Sequence, residues 1–530
     1  MRFSIDNPYS SRRSPVFARN VVATSQPLAT AAGLAMLRAG GNAVDAALAA
    51  AITLTVVEPT GNGLGSDAFC ILWDGRELHG LNASGRSPKA WTPERFSGQE
   101  AMPRRGWESV TVPGAVSAWR DLSQRFGKLP FEKLFEPAID CAERGFLVSP
   151  IIAELWGRGA QQLASQPGFA ECFMPGGRAP AAGELVVNPA QARALKLIAE
   201  TKGEAFYTGE LADRIAAFAK EHGAALTLED LAAHRNDWAG TLSQTFGPVA
   251  LHEIPPNGQG IAALMALGLL AHTEIATLRP DSLAAFHLQI EAMKLAFADV
   301  AAFVADHKHM LAVTAEHLLD PGYLKSRARL IDTGRAQRFG AGAPKDGGTV
   351  CLSAADENGM MVSYIQSNYA GFGSGVVVPG TGISLQNRGY GFTLERGHPN
   401  EVGGGKRPFH TIIPGFVMRG HEPAMAFGLM GGPMQAQGHV QMVLRTQIWG
   451  QDPQVASDAP RWRVVEGLTV ALETGVPEDV LAGLAELGHE VVREAPEATF
   501  GFGGAQLIHK IPGGYVAGSD SRKDGHAAGF

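Results

Sequence analysis

Charged residues make up only 18% of this 530-residue chain, against a usual ~25%, while apolar content is ordinary at 45%. Lys and Arg number 45 and Asp and Glu 52, so the formal charge is −7. That balance leaves no basic footprint for a phosphate backbone and excludes nucleic acid as a partner. Cysteine is nearly absent. Cys70, Cys141, Cys172 and Cys351 are scattered, with no CxxC and no Cys/His pairing, which excludes a disulfide scaffold and a cysteine zinc site. Apolar runs of ~18 residues are lacking, so no transmembrane helix is expected. Arg12-Arg13 is not followed by an apolar stretch of export-signal length, because Asn20, Thr24, Ser25 and Gln26 interrupt it. A soluble, cytoplasmic protein with no membrane partner is expected. Also missing are a GxSxG elbow, an HExxH pair and a P-loop. Gly371, Gly373 and Gly375 precede a strand instead of opening a helix, so they are no dinucleotide fingerprint.

Glycine is abundant, 65 residues, which implies many tight turns and close backbone approaches. After a short strand at residues 21–27, a helix over Leu28–Ala39 stops at Gly40-Gly41, and Asn42 caps a second helix that ends at Glu58-Pro59. The second helix is so rich in Ala that it belongs in a tightly packed interior. Further helices are predicted over Ala115–Phe126, Phe131–Arg144, Pro189–Thr201, Gly209–His222, Thr227–His234, Gly258–Leu270 and Ser282–His307. Residues 334–348 (GRAQRFGAGAPKDGG) lack apolar periodicity and read as a linker. Beyond it the period changes. Thr349–Ala355 and Met360–Gln366 form a hairpin around Asn358-Gly359. Strands at Gly382–Leu385, Thr411–Val417 and Ala424–Gly428 follow, then a helix at His439–Trp449. Helices packed on sheets give an α/β (α+β) layered architecture.

The texture changes at Asp346-Gly347-Gly348-Thr349. A glycine pair before a hydroxyl residue suits self-cleavage. Attack of the Thr349 hydroxyl on the Gly348 carbonyl, followed by hydrolysis of the resulting ester, would leave Thr349 with both a hydroxyl and a free α-amine. That amine, with an ordinary pKa near 7.7–8.0, can serve as base for its own hydroxyl.

The segment DGGTVCLSAADENGMMVSYIQSNYAGFGSGVVVPGTGI resembles the processing site of the gamma-glutamyltranspeptidase family of N-terminal-nucleophile hydrolases. LRAGGNAVDAALA, EPTGNGLGSDAF, SVTVPGAVSAW, FYTGELADRIA, PPNGQGIAAL, EAMKLAFAD, KRPFHTIIP, GLMGGPMQAQGH and SDSRKDGHAAGF follow the family's order along essentially the whole chain. The resemblance implies a four-layer αββα sandwich, cleavage between Gly348 and Thr349, a large chain Met1–Gly348 and a small chain Thr349–Phe530. The two chains would stay together as a heterodimer, with a dimer of heterodimers as the larger assembly. No cofactor and no metal are implied. Thr349 matches the nucleophile, Gly431 and Gly432 the oxyanion glycines, and Arg86 the arginine that clamps the substrate α-carboxylate. Ser367 or Asn368 stands where the family places a hydroxyl on the nucleophile and an amide on the substrate.

Two departures bear on the substrate. His410-Thr411 replaces the family's paired serines, so Thr411 keeps one hydroxyl and His410 adds a donor or a titrating group. Gly391, beside Arg388 and Tyr390, stands where typical members carry the Asp that grips an α-ammonium. The resemblance therefore implies an amide hydrolase or transferase, with water or an amine as acceptor, for gamma-glutamyl compounds such as glutathione. The alternative is an acylase or amidohydrolase for a non-gamma-glutamyl anionic amide, glutaryl- or oxamate-like. An unprocessed binding protein on the same fold is the reading from another class. Glu395 or Glu401 is the alternative source of the missing acid, and Gly391→Asp is expected to restore it.

Overall fold

The computed structural model describes residues 12–339, 348–495 and 501–530. Most of the expected linker, residues 340–347 with Asp346-Gly347, lies outside these. Gly348 and Thr349 lie inside, in strand Gly348–Ala355. This strand and Met361–Tyr369 form the expected hairpin. They sit at the centre of a seven-stranded sheet ordered His526–Gly529, Val21–Thr24, Gly348–Ala355, Met361–Tyr369, Asp67–Trp73, Leu78–Ala83, Asp237–Trp238. A second seven-stranded sheet runs Val16–Ala18, Gly514–Ser519, Ala505–Ile511, Glu422–Leu429, Pro414–Arg419, Val249–Glu253, Leu242–Phe246.

The strands' alternation sorts their side chains into layers. Cys351 and Ile365 join Phe69, Phe416, Ala426 and Ile508 in a core between the sheets. Leu352 and Tyr364, one residue on from Cys351 and one before Ile365, face the helices Pro27–Arg38, Ala43–Val57 and Ala115–Phe126. On the far side, Leu251, Val417 and Phe427 face Gly260–Leu270, Leu283–Phe303 and Met434–Val443. The result is the expected αββα order. Every residue of Ala43–Val57 is buried, and Asn42 and Asp45 close a capping box at its start.

Several boundaries differ from expectation. Phe131–Arg144 divides into a 3₁₀ turn, Phe131–Phe135, and a helix, Glu136–Arg144. Pro137 is tolerated only in a helix's first turn and so fixes the break. The helix expected from His439 already starts at Met434, directly after Pro433, and ends in a π turn, Leu444–Ile448. The strand expected from Thr411 starts at Pro414; the Ile413 amide donates to the Gln435 side chain at 2.9 Å.

His234, buried and stacked on Tyr207, has Nε2 at 2.9 Å from Ser117 Oγ. Burial first, then the nearby Arg407 charge, holds its pKa down to about 3. The unfolded imidazole takes a proton near 6.5. Stability from this group is therefore complete above pH 6.5 and falls as pH drops from 6.5 toward 3, by up to about 1.4 kcal/mol per unit. His234→Asn is expected to flatten the fall of the denaturation midpoint between pH 7 and 4.5. An unchanged slope would contradict this.

Candidate active site

The two hairpin strands lose register at one place. Gly348 pairs with Tyr369 and Val350 with Gln366, so Ser367 and Asn368 together oppose Thr349 alone. Bulges of this kind redirect side chains beside active sites. Thr349 is fully buried. Its Oγ1 lies 3.3 Å from Ser367 Oγ, to which it donates, and accepts from Gln435 Nε2 at 3.2 Å. Ser367 Oγ also accepts from the Tyr369 amide at 2.7 Å. Tyr369 has φ 79°, a conformation that costs a bulky residue energy and needs support from its surroundings.

Of the two residues left open by the sequence, Ser367 touches Thr349. Asn368 turns to the scaffold: its Oδ1 accepts from Ser66 Oγ at 2.7 Å and its Nδ2 donates to Ser384 Oγ at 3.1 Å. Gln435 was not singled out in the sequence. Its place in the first turn after Gly431-Gly432 is the signal that could have found it.

Gly431 and Gly432 have φ 109° and 59°, a path that glycine takes at low cost. Their carbonyls accept from the Met434 and Gln435 amides, and Gln259 Nε2 donates to the Gly432 carbonyl at 2.8 Å. Their own amides donate to no acceptor among the described residues. The same Gln259 nitrogen donates to the Thr411 carbonyl at 2.6 Å, which ties Thr411 to the glycine pair.

Thr411 Oγ1 accepts from Arg388 Nη1 at 2.9 Å. Arg388 is 1% exposed, and its guanidinium carbon stands 4.6 Å over the Tyr369 ring. Burial lowers its pKa to about 10, so it remains a cation at neutral pH. His410 is fully buried against Phe69, with Nε2 3.1 Å from Asp67 Oδ2. Burial, then the charges of Arg388 and Arg407, push His410 well below 6.5. It is therefore a neutral donor to Asp67 and not a free titrating group. Asp67 also accepts from the Gly85 and Gly114 amides, and burial raises it to about 7.

Arg86 is partly exposed, and its Nη2 lies 3.7 Å from Asp237 Oδ2. Asp237 also bonds Arg407 and lines a cavity of about 610 Å³ with Asn82, Trp238, Pro255, Pro256 and Lys308.

A Cβ at Gly391 would collide with the Phe409 carbonyl. Gly391 serves a close backbone approach, so Gly391→Asp does not fit, which corrects the expectation that it would restore an acid. Glu395 is exposed, and Glu401 accepts from the Gly397 amide. Neither is directed at the site.

His287, Glu291 and His489 lie within metal-binding reach of one another. However, Lys294 Nζ, 2.5 Å from Glu291 Oε1, already supplies the positive charge there.

The chain matches the family model described as Gamma-glutamyltranspeptidase over residues 29–530. It is 35% identical to the glutathione hydrolase-like YwrD proenzyme of Bacillus subtilis, covering 98% of this chain and 100% of that one. It is 36% identical to the oxamate amidohydrolase proenzyme of Klebsiella pneumoniae, covering 98% and 99%. The crystal structure of a cephalosporin acylase from Bacillus halodurans superposes with a TM-score of 0.95 at 45% identity, covering 100% and 99%. The chain belongs to the gamma-glutamyltranspeptidase family, amide hydrolases of the N-terminal-nucleophile type.

Proposed function

We propose that Thr349 cuts the chain after Gly348 and then, as the new N-terminus, hydrolyses a small acyl amide through an acyl-enzyme. The observation that carries this is the placement of Thr349 Oγ1 between Ser367 and Gln435 at the strand bulge. The chemistry divides among named groups. In maturation the Thr349 hydroxyl attacks the Gly348 carbonyl, the peptide nitrogen leaves as the Thr349 amine, and water hydrolyses the ester. In turnover that amine takes the hydroxyl proton as Oγ1 bonds to the substrate carbonyl. The Gly431 and Gly432 amides receive the oxyanion. The C–N bond breaks, the leaving amine carries off the proton, and water or an acceptor amine releases the acyl group. Ser367 and Gln435 hold the hydroxyl in line.

Met1–Gly348 and Thr349–Phe530 form the heterodimer, paired again in a dimer of heterodimers. A cytoplasmic location is kept on the four free thiols. No described helix is long and apolar enough to cross a membrane.

Gamma-glutamyl compounds such as glutathione are the first substrate class. A second reading, an anionic amide without an α-ammonium, is favoured by the buried Arg388 cation and by the tight backbone approach at Gly391. The oxamate amidohydrolase and cephalosporin acylase relatives fit that reading. For a gamma-glutamyl substrate, Arg86 is assigned to the α-carboxylate. Its long contact to Asp237 leaves it free to turn, so Arg86→Lys, which lacks the planar fork, is expected to raise KM for that substrate several-fold with processing intact. An unchanged KM would make Arg86 structural.

The test of the whole reading is a denaturing gel with N-terminal sequencing and an amidase assay. Bands of about 37 and 19 kDa, scaled from chain length, with Thr349 leading the smaller, support it. A single uncut chain without amidase activity supports the binding-protein reading.

A further inference from the structure

Arg388 is buried, yet two of its three guanidinium nitrogens have no acceptor. Nη1 is held by Thr411 Oγ1 and Tyr369 covers one face. Nε and Nη2, which together form one edge of the guanidinium, are buried without a hydrogen-bond partner. Asp67, the acid whose charge acts on it most, is already bonded to His410, Gly85 and Gly114.

Elsewhere in this chain the same edge grips carboxylates. Arg95 Nε and Nη2 each lie 2.7 Å from a Glu108 oxygen. Arg327 holds Asp299 at 3.1 and 2.7 Å, and Arg522 holds Glu473 at 2.5 Å through both atoms. A buried guanidinium whose fork is empty is complementary to a planar anion from outside the chain.

Its place relative to the nucleophile is fixed on two sides. Tyr369, beneath the guanidinium, is the register partner of Gly348. Thr411, on its Nη1 side, shares Gln259 with Gly432. Tyr369 thus ties the guanidinium to the bulge that carries Thr349, and Thr411 ties it to the glycine pair. An acyl group with its carbonyl at Thr349 can carry a second charge to Arg388. An ammonium beside that charge would meet a cation, because Asp67 is already taken up by His410, Gly85 and Gly114, a Cβ at Gly391 would collide with the Phe409 carbonyl, and Glu395 and Glu401 are directed elsewhere.

We infer that Arg388 binds the free carboxylate of the acyl group, and that the substrates are monoamides of short dicarboxylic acids lacking an α-ammonium. This rests on the Thr349 reading and names the substrate for it. Thr349 Oγ1 bonds to the amide carbonyl, the C–N bond breaks and the amine leaves with a proton. Water then cleaves the ester to release the dicarboxylate. No oxidant or cofactor is needed.

The test compares glutaryl, butyryl and gamma-glutamyl p-nitroanilides on the processed enzyme and on R388Q and R388K. In the wild type, kcat/KM for the glutaryl substrate is expected to exceed each of the others by about 100-fold, the scale of a lost charged hydrogen-bond pair. R388Q brings the glutaryl value down to the butyryl value, mainly through KM. R388K, with no fork, recovers only part. Equal glutaryl and butyryl values in the wild type, a gamma-glutamyl preference, or an equal loss of all three substrates in R388Q would overturn the inference. Should the variants not fold, glutarate against butyrate as inhibitors of the wild type decides it: competitive inhibition by glutarate alone supports the fork, and equal inhibition overturns it. Butyryl turnover by a chain cut before Thr349 would leave the Thr349 reading standing while this one falls. An uncut chain inert to all three would remove both.

Discussion

Thr349→Ala is expected to remain a single 55.9 kDa chain with amidase turnover lowered on the order of 10⁶, the scale for removing a hydrolase nucleophile. Both reactions pass through Oγ1, which Ser367 and Gln435 hold in place, so one deletion stops both. Thr349→Ser keeps the oxygen and is expected to retain part of each. It loses the methyl group that fixes the rotamer. The fold should survive in either variant, because Thr349 sits at a bulge and the strand's ladder resumes at Val350. An unchanged circular dichroism spectrum is the control. Normal cleavage in Thr349→Ala would move the scissile bond elsewhere and end the assignment.

Gly431→Ala carries the second large effect. At φ 109° an L side chain is strained, and relief requires the peptide to rotate and carry its amide off the oxyanion position. Loss of one such donor costs about 2.7–4 kcal/mol, a fall of about 10²–10³ in kcat. KM should change little, since the donor acts on charge that develops after binding. Gln435→Ala offers a contrast: it frees Thr349 Oγ1 and also strands the Ile413 amide, so activity and thermal stability fall together. A Gly431→Ala enzyme with full kcat would remove the glycine pair from the mechanism.

The sequence made the local features legible. Ala115–Phe126 matches its expected helix at both ends, because an amphipathic run and Gly127 encode it without help from distant residues. Asn42 and the alanines of Ala43–Val57 likewise announced a buried, capped helix. Motif order along the whole chain supplied the layers, which periodicity could not give, and it carries the proposal that Thr349 is the nucleophile.

What remained hidden depends on contacts far apart in the chain. His410 read as a donor or a titrating group, and only its burial against Asp67, 343 residues earlier, selects the neutral donor. Gly391 read as a lost acid, but the Phe409 backbone, brought against it by folding, leaves no room for any side chain. The empty edge of Arg388 was equally invisible, because only the packing of Tyr369 and Thr411 shows which donors are spent.

The most direct test is the intact mass of the small chain during turnover. A processed enzyme mixed with a chromogenic acyl anilide and quenched in acid within milliseconds is predicted to show the Thr349–Phe530 chain heavier by one acyl group. Peptide mapping should place that group on Thr349, and the adduct should decay as substrate is exhausted. Turnover with no adduct on this chain, or with the acyl group on any other residue, would contradict the account.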